Sequence, residues 1–241
     1  MMANYHLTVK GISRKNGRSC VSALAYRSAS MLVDQRTGEM YNYRNKENVE
    51  YVEIVVSENS HLWIKDISEE CKISRQTALQ KISEIFEAAE KRIDARVYRE
   101  IEFSLPRELT KEQNIAWARE FIKDACVAKG MVAIMNYHFE IDKKTGVEKP
   151  HCHVLLSTRE ATETGLSTHK QPDWDLINLV NEWREQYAAY QNTALKKHGF
   201  EIRVDHRSYQ DRGLIEIEPQ PKKNCAISQM AERGLKTDKQ S

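Results

Sequence analysis

No stretch of the 241 residues approaches the roughly 20 uncharged apolar positions that a membrane-spanning helix needs; the best, residues 130–137, is only strand-length. The N-terminus lacks the apolar core and small-residue cleavage site of a secretory leader and begins with the alternation Tyr5-His6-Leu7-Thr8-Val9-Lys10. The chain is therefore read as intracellular, without membrane insertion. Glycine and proline are sparse, at 9 and 5, which excludes collagen-like and low-complexity readings. The five cysteines (Cys20, Cys71, Cys126, Cys152, Cys225) are odd in number and form no Cys-x-x-Cys, so neither a disulfide framework nor a zinc ribbon fits. Reduced structural thiols are expected. An excess of one charge is also missing: 37 Lys+Arg against 35 Asp+Glu leave +2, so any nucleic-acid site has to be a local patch.

What is present is a globular composition, 40% hydrophobic and 30% charged, long enough for a sizeable core. Tyr5 to Lys10 alternates as a strand, and Ser19 is an N-cap for a helix expected from Cys20 to Val33, with Cys20, Val21, Leu24, Met31 and Leu32 as its apolar stripe. Tyr26 falls about 200° round from Leu24 and points off that stripe. Further strands are expected over residues 51–56, 99–105, 131–141, 151–157 and 200–205. Helices are expected around Leu79 to Ile93, from the Thr110/Gln113 capping box to Gly130, and from Trp174 to Lys197. The polar stretch Asp142 to Gly146 reads as a hairpin turn. The pattern predicts an α+β fold: a central, mostly antiparallel sheet with flanking helices. Beyond Asp211 the chain turns polar and reads as a tail or linker.

Three of the eight histidines fall on the expected hairpin. His151 and His153 share a strand face, and a turn centred near Thr145 puts His138 opposite His153 on that same face. Three convergent imidazoles suit a divalent metal and leave coordination positions open, as in catalytic sites. Glu100, Glu102, Glu140 and Asp205 are strand carboxylates able to accept the second ring N–H of such histidines. A bare His-x-His on a solvated strand is the alternative.

The segments Tyr5-His6-Leu7, Ile12-Ser13-Arg14, Gly17-Arg18-Ser19 and Ala25-Tyr26-Arg27-Ser28 resemble the N-terminus of MobA/MobL-type conjugative relaxases. The resemblance continues through Arg99 to Glu102, Leu105 to Leu109, Lys149 to Leu156, Trp183-Arg184 and Asp205 to Ser208, the last two as in TraA-like members. The similarity implies the HUH endonuclease fold, with a catalytic tyrosine upstream of a metal-binding histidine triad. Carried over by position, Tyr26 is the nucleophile and His138, His151 and His153 are the ligands of a divalent ion (Mn, Mg, Zn, Ni or Co), with Glu100, Glu102 and Asp205 behind them. Residues 1–210 are then the relaxase domain and 211–241 a C-terminal extension or linker. The implied activity is metal-dependent nicking of one strand at an origin of transfer, leaving a 5′-phosphotyrosine that is later rejoined. The implied partners are single-stranded origin DNA, accessory relaxosome proteins and a type IV secretion coupling protein, in a bacterial cytoplasm.

Residues 1–50 carry eight Lys/Arg against four Asp/Glu, an excess suited to a phosphate backbone. The expected strand contacts are Lys10, Arg14, Lys15, Arg18 and Arg27, with Arg36, Arg44 and Lys46 in the same patch. Tyr41 and Tyr43 are expected to stack on bases, and Arg207 and Ser208 to lie along the path. The rival functions are a rolling-circle replication initiator or transposase of the same superfamily, and a non-catalytic single-strand-binding module. Such initiators usually carry their tyrosine after the histidine pair, whereas Tyr26 precedes it.

Overall fold

The computed structural model describes residues 5–207 and 211–213. The chain divides into two compact units, Met1–His206 and Arg207–Ser241, and the architecture below is that of the first. Its centre is a five-stranded sheet in the order β1-β5-β7-β6-β4. The strands are β1 (Leu7–Ser13), β4 (Val49–Val55), β5 (Arg96–Ser104), β6 (Ala133–Ile141) and β7 (Glu148–Ser157), and every pairing is antiparallel. Two small hairpins stand apart, β2 (Met31–Asp34) with β3 (Glu39–Asn42) and β8 (Arg159–Thr162) with β9 (Gly165–Lys170).

Both faces of the sheet are covered, which explains why β5, β6 and β7 are buried along most of their length. On one face Phe103, Met135, Cys152 and Val154 pack with Phe121 of α4 (Lys111–Ala125) and Trp183 and Tyr187 of α5 (Ile177–Lys197). On the other, Ile54, Tyr98, Ile134 and Leu155 pack with Leu24 of α1 (Cys20–Arg27), Ile64 of α2 (Leu62–Ile73) and Leu79, Ile82 and Phe86 of α3 (Arg75–Ala89). Further along this second face the apolar residues give way to Glu100, Glu102, Asn136, His138, His151 and His153. Cys20, Cys71, Cys126 and Cys152 are buried free thiols. No helix among the described residues is long and apolar enough to cross a membrane.

Several boundaries differ from the sequence expectations. The helix expected to reach Val33 stops at Arg27, because Ala29 takes a left-handed φ of 47°. The Ser28 and Ser30 amides then close on the Leu24 and Ala25 carbonyls at 3.0 Å each, the pattern of a helix C-cap. Met31 and Leu32 consequently belong to β2. Residues 62–73 form a helix that the sequence reading left without an element, and Ile93 lies beyond α3, 85% exposed. Trp174 sits in a short 3-10 turn before α5, which begins at Ile177 after a proline at the turn's start. Residues 200–205 run without strand pairing. The Thr110/Gln113 capping box is present with both of its hydrogen bonds.

Candidate metal centre and nucleophile

The β6–β7 register places the histidines. Ile141 pairs with Glu148, leaving the six residues 142–147 in the turn. The Asp142 Oδ1 accepts the Lys144 and Thr145 amides, each at 3.0 Å, and the Lys149 ammonium pairs with the Asp142 carboxylate. These contacts centre the turn slightly before Thr145. His138 therefore stands opposite His151, and Asn136 opposite His153, which corrects the expected His138–His153 pairing. The partner moves by two residues, so all three imidazoles keep one face. Their ring centroids lie 5.2 Å (His138–His151), 4.6 Å (His138–His153) and 5.1 Å (His151–His153) apart.

One nitrogen of each ring is committed to an oxygen that can only accept. His153 Nδ1 donates to Glu100 Oε1 at 2.6 Å, His151 Nδ1 to the Lys149 carbonyl at 2.8 Å, and His138 Nε2 to the Arg27 carbonyl at 2.6 Å. A neutral imidazole that donates from one nitrogen keeps a lone pair on the other. The free atoms are thus His153 Nε2, His151 Nε2 and His138 Nδ1, and the three rings offer ligand atoms within 4.8 Å of one another. Burial holds His138 near 3 and pushes His151 below its ordinary 6.5, with His153 adding repulsion to both, so the protonated forms are disfavoured. Three borderline nitrogen donors, each braced from behind, fit a divalent transition metal.

Glu100 is fully buried and is the hub of the site. Besides His153 it accepts Arg27 Nε at 2.8 Å and Arg27 Nη2 at 3.2 Å, and Lys10 Nζ stands 3.3 Å from its second oxygen. Burial raises its pKa, but the hydrogen bonds from His153 and Arg27 outweigh that and hold it at about 2. Glu102 is held below its usual range as well, burial being outweighed by its 3.1 Å contact with Lys10 and the charge of His153.

Arg27 is the last residue of α1, and its carbonyl and guanidinium both reach this cluster. Its neighbour Tyr26 is 44% exposed, because the helix buries Cys20, Val21, Leu24 and Ala25 on the opposite side. Tyr43 meets the Tyr26 ring edge-on at 5.3 Å and shares a 3.2 Å hydrogen bond with Ser22. The Lys46 ammonium lies 3.8 Å from the Tyr26 ring centroid.

The expected strand contacts separate into distinct groups. Arg14 is 5% exposed: Nε donates to Glu87, Nη1 to the Glu90 and Arg92 carbonyls, and Nη2 to the Glu87 carbonyl. It is a structural arginine and leaves the strand-contacting set. Lys10 and Arg27 are engaged by Glu100, so their charge is spent mainly inside the site. Lys15, Arg18 and Arg44 are exposed. Tyr41 is half-buried with its hydroxyl donated to Glu39, which raises its pKa. The Asp205 charge acts on Tyr5, whose pKa it helps to raise. Arg207 belongs to the second unit, and Ser208 lies outside the described residues. A groove of about 460 Å³ beside the triad is lined by His6, Glu102, Arg107, Lys149 and His151, and the exposed Arg107 was not singled out from the sequence as a contact.

Comparison with known proteins shows the family and the fold. The sequence model of the MobA/MobL family matches residues 18–233. The mobilization protein MobL of Acidithiobacillus ferridurans is 33% identical over 251 residues, covering 90% of this chain and 61% of its own length. The chain thus spans less than two thirds of that relative. A solved structure described as the molecular basis of vancomycin resistance transfer in Staphylococcus aureus superposes with a TM-score of 0.72 at 29% identity, over 86% of this chain and 100% of its own. The metal-bound conjugative relaxase TrwC in complex with origin-of-transfer DNA shares the fold at 12% identity and a TM-score of 0.52, over 98% of this chain and 92% of its own.

Proposed function

Because this chain belongs to the MobA/MobL family, we propose that residues 1–210 form a relaxase domain that nicks one DNA strand at an origin of transfer, with residues 211–241 as an extension. The observation that carries the reading is the convergence of three imidazole lone pairs on a site whose neighbouring helix carries the exposed Tyr26 one residue before its end. Tyr26 is the nucleophile: its oxygen attacks the scissile phosphate, giving a 5′-phosphotyrosine and a free 3′-OH. The bond energy is retained in the ester, so rejoining needs no ATP.

His138 Nδ1, His151 Nε2 and His153 Nε2 would hold a divalent cation, Mn, Mg, Zn, Ni or Co. Bound there, such an ion supplies neutralisation of charge on the non-bridging phosphate oxygens. Glu100 fixes the His153 tautomer and ties it to Arg27, and the Arg27 carbonyl fixes His138. One helix end thereby orients the nucleophile and the ligand set together, which is the requirement for in-line attack. Lys15, Arg18 and Arg44 supply phosphate contacts, Tyr43 an aromatic surface for an unpaired base, and the groove past Arg107 a course for the strand. The proposed partners are single-stranded origin DNA, accessory relaxosome proteins and a secretion coupling protein, and the proposed location is the cytoplasm.

The test is cleavage of a panel of single-stranded origin candidates with end mapping. The reading expects one product with an extendable 3′-OH and one whose 5′ end is blocked by protein. Binding without cleavage of any candidate under added Mn or Mg would favour a non-catalytic module.

A further inference from the structure

A lysine outside the histidine cluster holds Tyr26. Besides standing 3.8 Å from the ring centroid, the Lys46 ammonium donates a 3.3 Å hydrogen bond to the Tyr26 carbonyl. That carbonyl lies in the last turn of α1, where intrahelical donors run out and the helix dipole favours a cation. The segment carrying Lys46 is pinned at both ends: the Tyr43 amide donates to the Ser30 carbonyl at 3.0 Å and the Phe139 amide to the Asn48 carbonyl at 2.9 Å. The Lys46 amide closes on the Tyr43 carbonyl at 3.0 Å. Among the described residues no carboxylate forms an ion pair with Lys46; burial together with Arg27 brings it down to about 8, against a weaker opposing pull from the Glu140 charge. A half-buried cation with no ion-pair partner of its own, seated on the face of one tyrosine, is placed to act on that ring.

We propose that Lys46 is a positioning residue for the nicking step, holding the Tyr26 ring and stabilising the negative charge that grows on its oxygen. The proposal rests on the reading of Tyr26 as the nucleophile. In that step the phenolic O–H bond breaks and its proton passes to solvent. The oxygen bonds to phosphorus, the P–O3′ bond breaks, and the departing 3′ oxygen takes up a proton. Lys46 forms no bond in this sequence.

Lys46→Met keeps the side-chain bulk and removes the charge, whereas Lys46→Arg restores it. On the oligonucleotide that the panel above shows to be cleavable, K46M is expected to form the adduct about tenfold more slowly than wild type. The rates are compared at saturating oligonucleotide, so that any loss of affinity at Lys46 drops out, and K46R recovers most of the rate. A K46M rate equal to wild type overturns the proposal, as does a K46R rate as slow as that of K46M, which is what packing alone would give. If K46M lowers the thermal midpoint, the same comparison is made between K46Q and K46R. Tyr26→Phe is run alongside; an adduct from that variant overturns the nucleophile assignment itself, a separate failure.

Discussion

His153 donates its Nδ1 proton to the fully buried Glu100 across 2.6 Å, and that bond leaves Nε2 as the atom facing the other two imidazoles. The same carboxylate takes both donors of Arg27, so it orients a ligand and the end of the nucleophile's helix together. Glu100→Gln should therefore weaken metal binding by about 10- to 100-fold, the usual effect of losing a carboxylate behind a ligating histidine. Titration calorimetry with Mn or Zn measures it, and an affinity equal to wild type would break the link.

Removal of metal by a chelator is expected to stop cleavage and leave far-UV circular dichroism unchanged, since both faces of the sheet carry extensive cores. His151→Ala and His153→Ala should behave like the chelated protein, while Ala at the exposed His169 should cleave normally. Global unfolding on chelation would show that the cation is structural.

Arg14 and the pair Lys15 and Arg18 should respond oppositely. Arg14→Ala strands the half-buried Glu87 carboxylate and is expected to cost about 3 kcal/mol in urea denaturation. Neutralising Lys15 and Arg18 should leave stability within about 0.5 kcal/mol. It should also flatten the slope of log K against log salt by about one unit per lost phosphate contact. An unchanged slope would move the DNA path toward Arg107.

Acid stability should depend on Glu90. Burial raises its pKa, but hydrogen bonds and charges from Arg159 and Lys170 lower it further, to below the ordinary 4.5. The unfolded chain then takes up this proton near 4.5 and the folded chain only at lower pH, so the contribution is present above 4.5 and is lost as pH falls through the folded value. Glu90→Gln should be less stable than wild type at pH 7 and should show a shallower decline below pH 4.5. Equal slopes in the two acid titrations of stability would contradict this.

Much of the site was legible because strand alternation is local: His151 and His153 two apart on one strand need no knowledge of the fold. The register of His138 depended on six turn residues and on Asp142 bonding its own neighbours, which a centred turn does not anticipate. Arg14 read as a surface cation because its partner Glu87 is 73 residues away in sequence. The β2–β3 and β8–β9 hairpins, with strands of only four to six residues, carry too little alternation to stand out. The end of α1 was missed because Ala29, not glycine, takes the left-handed position. The off-core direction of Tyr26, by contrast, followed from helical geometry alone, and its placement beside Arg27 and Lys46 required the tertiary structure.

Attack of Tyr26 on the phosphate can be trapped on a suicide oligonucleotide whose 3′ product diffuses away, and the modified peptide then mapped by mass spectrometry. A single phosphotyrosyl adduct on Tyr26 is expected in the wild-type protein and none with Tyr26→Phe, which should still bind the strand with nearly wild-type affinity. An adduct on Tyr41, Tyr43 or another residue, or one that persists in Tyr26→Phe, would contradict it.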